Sequence, residues 1–329
     1  MDSYLTIKNL KVGFQSYSGL NRVVDIDDLT IERGQAFALV GESGSGKSVT
    51  AFALQQLLTV PPAVISADEL TLDGIQILDK SQKEMTDIRG RKIAMIFQDP
   101  MSTLNPVFTV GEQITQAVRR NRKLGRQEAR KRAIELIETV KLPDAERILS
   151  KYPHELSGGQ RQRIIIASAL GCGAEFLIAD EPTRNLDVTI QAGILKLLAT
   201  LQREEKLTVL FITNNLSLVP LLCDQTALLY KGQVMECGTV AEVIDGHCHP
   251  YTEALIQPLP VTEEEKEAVK TATAEEIPVE RGCLFQNKCR FCTPLCREQA
   301  PEVVSLSPTH KVRCHRYQEG VREQWANQS

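Results

Sequence analysis

Ala36-Phe37-Ala38-Leu39-Val40-Gly41-Glu42-Ser43-Gly44-Ser45-Gly46-Lys47-Ser48 is the stretch that decides the fold, because its last eight residues have the G-x-x-x-x-G-K-[ST] spacing of a phosphate-binding loop. The apolar run before Gly41 predicts a buried strand, and Ser48-Val49-Thr50-Ala51-Phe52-Ala53-Leu54 opens a helix, so the loop has the flanks its chemistry needs. Glycines let backbone N–H groups turn inward into an anion nest at the positive end of that helix. Lys47 is placed to reach β- and γ-phosphates, and the Ser48 hydroxyl to ligate Mg²⁺. A merely flexible Gly/Ser loop would require neither flank.

Composition sets the bounds. The chain has 329 residues, 42% hydrophobic and 24% charged, which suits one large globular domain with a smaller appendage. A net charge of −4 gives no global electrostatic case for nucleic-acid binding. The basic cluster Arg119-Arg120-Asn121-Arg122-Lys123, continuing to Arg130-Lys131-Arg132, is diluted by Glu128 and reads as a solvated helix face. Met1-Asp2-Ser3-Tyr4-Leu5-Thr6-Ile7 lacks the basic and apolar regions of a secretory signal, so the expected location is the cytosol. Ser48 to Ala67 carries no charge, but Gln55-Gln56 and Pro61-Pro62 interrupt it, which predicts a buried helix and a turn and not a membrane span.

Residues 1 to about 260 alternate β-branched runs with helical stretches, the pattern of an α/β domain with a largely parallel sheet and helices on both faces. Strands are expected at Ile93-Ala94-Met95-Ile96-Phe97, Phe176-Leu177-Ile178-Ala179 and Thr208-Val209-Leu210-Phe211-Ile212. Ile114, Ala117, Ile134, Leu136, Ile137 and Val140 fall at near-helical spacing, so residues 106–156 form an inserted helical subdomain, extended to about 170. Residues 261–280 are acidic and poor in large apolar groups, the composition of a linker or solvated helix; a cysteine-rich extension, 281–329, follows.

Phe176-Leu177-Ile178-Ala179-Asp180-Glu181 is a buried strand that delivers two acids to its C-terminal end, beside the phosphate loop in this topology. Asp180 would hold Mg²⁺, directly or through water, and Glu181 would orient or deprotonate an attacking water. Leu156-Ser157-Gly158-Gly159-Gln160, before a helical run starting at Arg161, makes a second helix N-terminus suited to an anion.

At Leu156-Ser157-Gly158-Gly159-Gln160 the chain resembles the ATP-binding subunits of ABC transporters, whose signature is LSGGQ, and the resemblance covers nearly the whole chain. It implies a head-to-tail pair of ATPases in which Ser157, Gly158, Gly159 and Gln160 of one subunit close over the ATP held by the other. It also implies that Gln98, in Ile96-Phe97-Gln98-Asp99-Pro100, contacts Mg²⁺ or the water and relays nucleotide state to membrane subunits, and that Leu186-Asp187 forms the D-loop, with Arg184-Asn185 in place of the usual small residues. Phe14, with Tyr17 second, is the candidate for stacking on adenine. One position departs: Ile212-Thr213-Asn214-Asn215 has asparagine where the family's switch histidine follows the strand. Asn214 can donate a hydrogen bond to a phosphate but cannot carry imidazolium charge, which puts hydrolysis at this chain's own loop in question while leaving binding intact.

Five of the nine cysteines crowd the C-terminal end: Cys283, Cys289, Cys292, Cys296 and Cys314. In a cytosolic chain that density points to a metal and not to disulfides, and spacing alone does not separate zinc from an iron–sulfur cluster. Gly282-Cys283-Leu284-Phe285-Gln286-Asn287-Lys288-Cys289, with His249-Pro250-Tyr251-Thr252 upstream and His310-Lys311-Val312-Arg313-Cys314 downstream, resembles the extension of oligopeptide and dipeptide importer ATPases. That resemblance implies a [4Fe–4S] cluster on Cys283, Cys289, Cys296 and Cys314, with Cys292 a fifth candidate and Zn²⁺ the alternative. The site is expected to lie outside the nucleotide core, so that losing it leaves ATP binding intact.

The resulting expectation is an importer ATPase using ATP and Mg²⁺, paired with a second ATPase on the cytosolic face of two permease subunits and served indirectly by an extracytoplasmic binding protein. Peptides are the expected solute and nickel or other metal chelates the alternative. A soluble ABC-type ATPase acting on DNA or ribosomes would favour two phosphate loops or a long coiled coil, and the sequence shows neither. A regulatory nucleotide-binding partner that barely hydrolyses is the third reading, carried by Asn214.

Overall fold

The computed structural model describes residues 2–122, 124–256, 279 and 281–318; apart from residue 279, the expected linker at 261–280 lies outside them. Two long strands open the chain, β1 (Ser3–Ser16) and β2 (Gly19–Glu32), paired antiparallel across a tight turn that Gly19 closes at φ 118°. β3 (Ala36–Val40) leads into the phosphate loop and α1 (Lys47–Leu54). β4 (Ala63–Ser66), β5 (Glu69–Leu72) and β6 (Ile75–Gln76) return to the opening hairpin and complete a five-stranded antiparallel sheet. α2 (Gln82–Ile88), started by a Ser81/Glu84 capping box, precedes β7 (Ile93–Ile96).

Helices α3 (Pro100–Thr103), α4 (Val110–Arg122), α5 (Arg126–Thr139), α6 (Ala145–Ser150) and α7 (Gly158–Cys172) follow. Then come β8 (Phe176–Asp180), α8 (Val188–Glu204), β9 (Thr208–Thr213), β10 (Gln225–Tyr230), β11 (Gln233–Thr239), α9 (Val240–Gly246) and α10 (Pro250–Ile256). The cysteine-rich segment adds α11 (Pro294–Glu298), β12 (Val303–Ser305) and β13 (Lys311–Arg313).

The second sheet runs β12-β13-β11-β10-β3-β9-β8-β7, parallel from β10 to β7 and antiparallel at the β11, β13 and β12 end. Its parallel strands are buried on both faces, and alternate residues divide between two cores. Ala36, Ala38, Val40, Leu177, Ala179, Val209 and Phe211 face the helices α4 to α8. Phe37, Leu39, Phe176, Ile178, Leu210 and Ile212 face the antiparallel sheet together with α1 and α2.

That second core corrects the expectation of helices covering both faces. Leu5, Ile7, Leu10 and Val12, with Val24, Ile26, Leu29 and Ile31, alternate inward in pairs on either side of a two-residue step and make an apolar sheet face that does most of the covering on that side. Ser48 to Ala67 resolves into α1, a turn through Pro61 and Pro62, and β4; among the described residues no helix is long and apolar enough to cross a membrane. The cysteine-rich segment is integrated: β13 pairs with β11 at Glu236↔Val312, and Cys283, Phe285 and Cys296 share the helix-side core.

Candidate nucleotide site and cysteine centre

The phosphate loop is held in shape by contacts that leave no room for side chains at two of its glycines. A Cβ at Gly41 would lie 2.2 Å from the Leu229 carbonyl oxygen, and one at Gly46, where φ is 105°, would lie 2.8 Å from the Val23 carbonyl oxygen. Gly41 N–H donates to Thr213 O at 3.3 Å and Gly232 N–H to Ser45 O at 2.9 Å, which ties the loop to β9 and to the β10–β11 turn. The buried Lys47 ammonium donates to Gly41 O at 2.8 Å and Glu42 O at 2.9 Å. Burial holds its pKa below the usual lysine value, opposed by the charges of Glu181, Asp180 and Glu42. Ser43 and Gly44 lie exposed at the mouth of the loop.

Asp180 ends β8 next to this loop. Burial raises its pKa, and a hydrogen bond from Ser48 opposes the shift. Its Oδ1 is buried without a hydrogen-bond partner among the described residues. A buried, unpaired carboxylate oxygen beside a serine hydroxyl at a helix N-terminus is a donor set that fits a hard divalent cation such as Mg²⁺. Glu181, at φ 43°, accepts at Oε2 from Gln98 Nε2 at 2.6 Å and from Arg184 Nη1 at 3.1 Å. Sequence reasoning treated Arg184 only as a departure from the D-loop pattern; its i,i+3 spacing to Glu181 was the available signal. Asn214 is exposed at the end of β9, one residue past the Thr213 carbonyl that Gly41 touches.

Ser157 is the N-cap of α7: its Oγ accepts from Gln160 N–H at 3.3 Å while Gln160 Oε1 accepts from Ser157 N–H at 3.1 Å. Gly158 is exposed, and a Cβ at Gly159 would lie 2.9 Å from the Ile190 side chain, so α8 packs against the start of α7. Phe14 is half-buried on β1 opposite Asn21, two residues from the Val23 carbonyl that touches Gly46; Tyr17 stands fully exposed in the hairpin turn.

Cys283, Cys289, Cys296 and Cys314 line one cavity together with Phe285 and Phe291, and Cys292 is not among its walls. Burial is the main force on three of these thiols, raising Cys289 above the usual thiol value and pushing Cys283 up to about 11 and Cys314 up to about 12. A tetrahedral zinc ion with Zn–S bonds near 2.3 Å would draw its sulfurs to about 3.8 Å from one another. Among the described residues, the group of three metal-ligating types whose donor atoms all lie within 4.8 Å of one another is Glu236, Cys248 and His310, and not any three of these thiols. The four-cysteine cavity gathers thiol donors for one metal centre, a donor set that both tetrahedral zinc and an iron–sulfur cluster accept.

Glu236, Cys248 and His310 have a different use. Both oxygens of the fully buried Glu236 are saturated: Oε1 accepts from Cys248 N–H at 3.0 Å and pairs with His310 Nε2 at 2.8 Å, while Oε2 accepts from His249 N–H at 2.9 Å and from the Thr252 hydroxyl. This is a polar joint that fixes the turn into α10 and fastens it to the C-terminal segment. The same joint places Tyr251, which sequence reasoning missed as a neighbour of the nucleotide site. Its hydroxyl accepts from Glu42 N–H at 3.0 Å, and Lys288 Nζ lies 3.4 Å from Glu42 Oε2. The cysteine-rich segment, expected to lie outside the nucleotide core, thus meets the phosphate loop at one point, Lys288 against Glu42, while Tyr251 reaches the loop from α10.

Two family descriptions match the chain: ABC transporter over residues 24–184, and oligopeptide/dipeptide transporter, C-terminal region, over residues 235–296. The oligopeptide transport ATP-binding protein OppD of Bacillus subtilis is 40% identical over 313 residues, covering 94% of this chain and 87% of that protein. The glutathione import ATP-binding protein GsiA of Escherichia coli O157:H7 is 44% identical over 261 residues, 78% of this chain and 42% of that longer protein. Among solved structures, the ATP-binding cassette MJ0796, a dimer in a post-hydrolysis state with ADP and phosphate, superposes with a TM-score of 0.63 at 28% identity, over 72% of this chain and 98% of that one. With a relative at that identity over nearly its full length, the two family regions in tandem and the phosphate loop, acids and signature in place, the chain belongs to the ATP-binding subunits of ABC transporters, in the oligopeptide/dipeptide branch.

Proposed function

We propose that this chain powers uptake of peptides, docked at the cytoplasmic face of the membrane on two permease subunits and paired head to tail with a second ATPase. The observation that carries the nucleotide chemistry is the unpaired, buried Asp180 oxygen beside Ser48 and Lys47. Lys47 and the loop N–H groups hold the phosphates, Ser48, Asp180 and Gln98 hold Mg²⁺, Phe14 stacks on the base, and Glu181 orients the attacking water and accepts its proton. When bound, Mg²⁺ would neutralise part of the phosphate charge. Ser157 to Gln160 close the partner's site. The division into an ATPase unit to about residue 260 and a cysteine-rich extension from 281 is one of chemistry, since β13 belongs to the ATPase sheet. The names of the relatives support a peptide cargo, and glutathione is itself a small peptide. ATP turnover by the complete complex with its binding protein should rise with peptides; a rise only with nickel chelates would replace the cargo.

Asn214 supports an asymmetric pair. Glu181 is braced by Gln98 and Arg184, while the residue expected to contact the γ-phosphate lacks a charge. Glu181→Gln is then expected to cost the complex less than half its turnover, whereas the equivalent change in the partner ATPase should nearly stop it. Loss of most activity with Glu181→Gln alone would show instead that this chain's own site does the hydrolysis.

Cys283, Cys289, Cys296 and Cys314 line one cavity, and the resemblance to oligopeptide and dipeptide importer ATPases favours a [4Fe–4S] cluster on them over a zinc ion. Bound there, it would supply a fixed crosslink between the turn at Cys283, α11 and β13. Anaerobically purified protein should be brown and should carry iron and acid-labile sulfide, and Cys289→Ser should bleach it. Colourless protein with one equivalent of zinc would reassign the site.

A further inference from the structure

Tyr251 and the phosphate loop share one peptide group. The Gly41–Glu42 peptide offers its carbonyl to Lys47 Nζ at 2.8 Å on one side and its N–H to the Tyr251 hydroxyl at 3.0 Å on the other. That hydroxyl in turn donates to Leu229 O at 3.3 Å, the same oxygen against which Gly41 is packed. We infer that Tyr251 is a positioning residue for Lys47, fixing the orientation of the Gly41–Glu42 peptide, and that the cysteine centre influences nucleotide affinity through it.

Each part of the path is on the structure. Tyr251 is fully buried, and its neighbours on both sides are pinned by Glu236, through the N–H groups of Cys248 and His249 and the hydroxyl of Thr252. Its ring lies 4.9 Å from Tyr230 and 5.5 Å from Phe285, centroid to centroid. Phe285 also meets Tyr230 edge-on at 5.3 Å and forms a wall of the four-cysteine cavity, two residues from Cys283. Lys288, on the same turn, reaches the Glu42 carboxylate. A peptide held at both ends cannot rotate; without the Tyr251 hydroxyl, Glu42 N–H loses its partner and the carbonyl that anchors Lys47 is free to swing away. Loosening the cysteine centre acts on the same peptide by releasing Phe285 from the ring of Tyr251.

The inference rests on the reading of Lys47 as the phosphate-binding cation, which Lys47→Ala tests separately. Binding of Mg²⁺-ATP to the complete chain is measured by calorimetry for Tyr251→Phe, Phe285→Leu and the double variant. Tyr251→Phe removes both hydrogen bonds of the hydroxyl and keeps the ring, so the dissociation constant should rise roughly tenfold while the number of binding sites per chain stays at the wild-type value. A purely structural defect would lower the number of sites and leave the affinity of the remaining ones unchanged, and that result overturns the proposal. Phe285→Leu should also weaken binding, and the double variant should bind no worse than Tyr251→Phe alone, because both act on one peptide. Unchanged affinity in Tyr251→Phe, with Lys47→Ala still abolishing binding, overturns the positioning role and leaves the phosphate loop standing; fully additive losses in the double variant overturn the link to the cysteine centre.

Discussion

Lys47→Ala is expected to abolish measurable ATP binding, with a loss of about a hundredfold or more, since charge-assisted hydrogen bonds to two phosphate groups disappear together. The surroundings make the effect larger than at an exposed lysine. The ammonium is buried among the carboxylates of Glu181, Asp180 and Glu42, whose charges oppose the fall in its pKa that burial causes. Removing it leaves those acids facing incoming phosphates with one cation fewer. Calorimetric titration with Mg²⁺-ATP checks this, and affinity like that of the wild type would remove the phosphate loop from the nucleotide site.

Gly41→Ala should be nearly as damaging by a steric route. Its Cβ would stand 2.2 Å from the Leu229 carbonyl oxygen and 2.7 Å from Ser45 Oγ. The first of these is backbone of a central strand, so the loop has to move instead, and with it the carbonyl that anchors Lys47. Overpacking of this kind costs about 1–3 kcal/mol of stability. ATP binding should be lost together with a lower denaturant midpoint. Gly125→Ala is the control for binding: its nearest neighbour would be the Glu128 side chain at 3.6 Å, at the N-cap of α5, and it should leave ATP affinity unchanged. An alanine at position 41 with wild-type unfolding and binding would show that the loop has slack the geometry denies.

The parts legible in the sequence were those whose chemistry is local. Gly41 to Ser48, Asp180-Glu181 and Ser157 to Gln160 each carry their physical reason within a few residues, and the apolar runs before them gave the parallel strands to within one residue. Crowding singled out five cysteines, and the family resemblance four of them; Cys283, Cys289, Cys296 and Cys314 line one cavity, with Cys292 outside its walls. What sequence reading missed is held by long-range contacts. Glu42 meets Tyr251 across 209 positions and Lys288 across 246, and no periodicity links such pairs. The antiparallel cover over one face was missed because the tandem Asp27-Asp28 of β2 breaks the alternation between Ile26 and Leu29, so Val24, Ile26, Leu29 and Ile31 do not keep one period along the strand.

The strand β13 lies against β11, and its flanks reach past that edge: Lys311 pairs with Asp28 at 2.8 Å and Arg313 with Asp27, both on β2 of the other sheet. A stretch near the C-terminus thus staples together the two sheets that open the chain. Such a cassette is not a portable module. A chimera that joins its first 256 residues to another transporter's tail would leave β11 with open backbone groups, inviting strand exchange between molecules. Grafting between importers has to respect a boundary drawn by this lacing and not by the order in which the ATPase motifs occur.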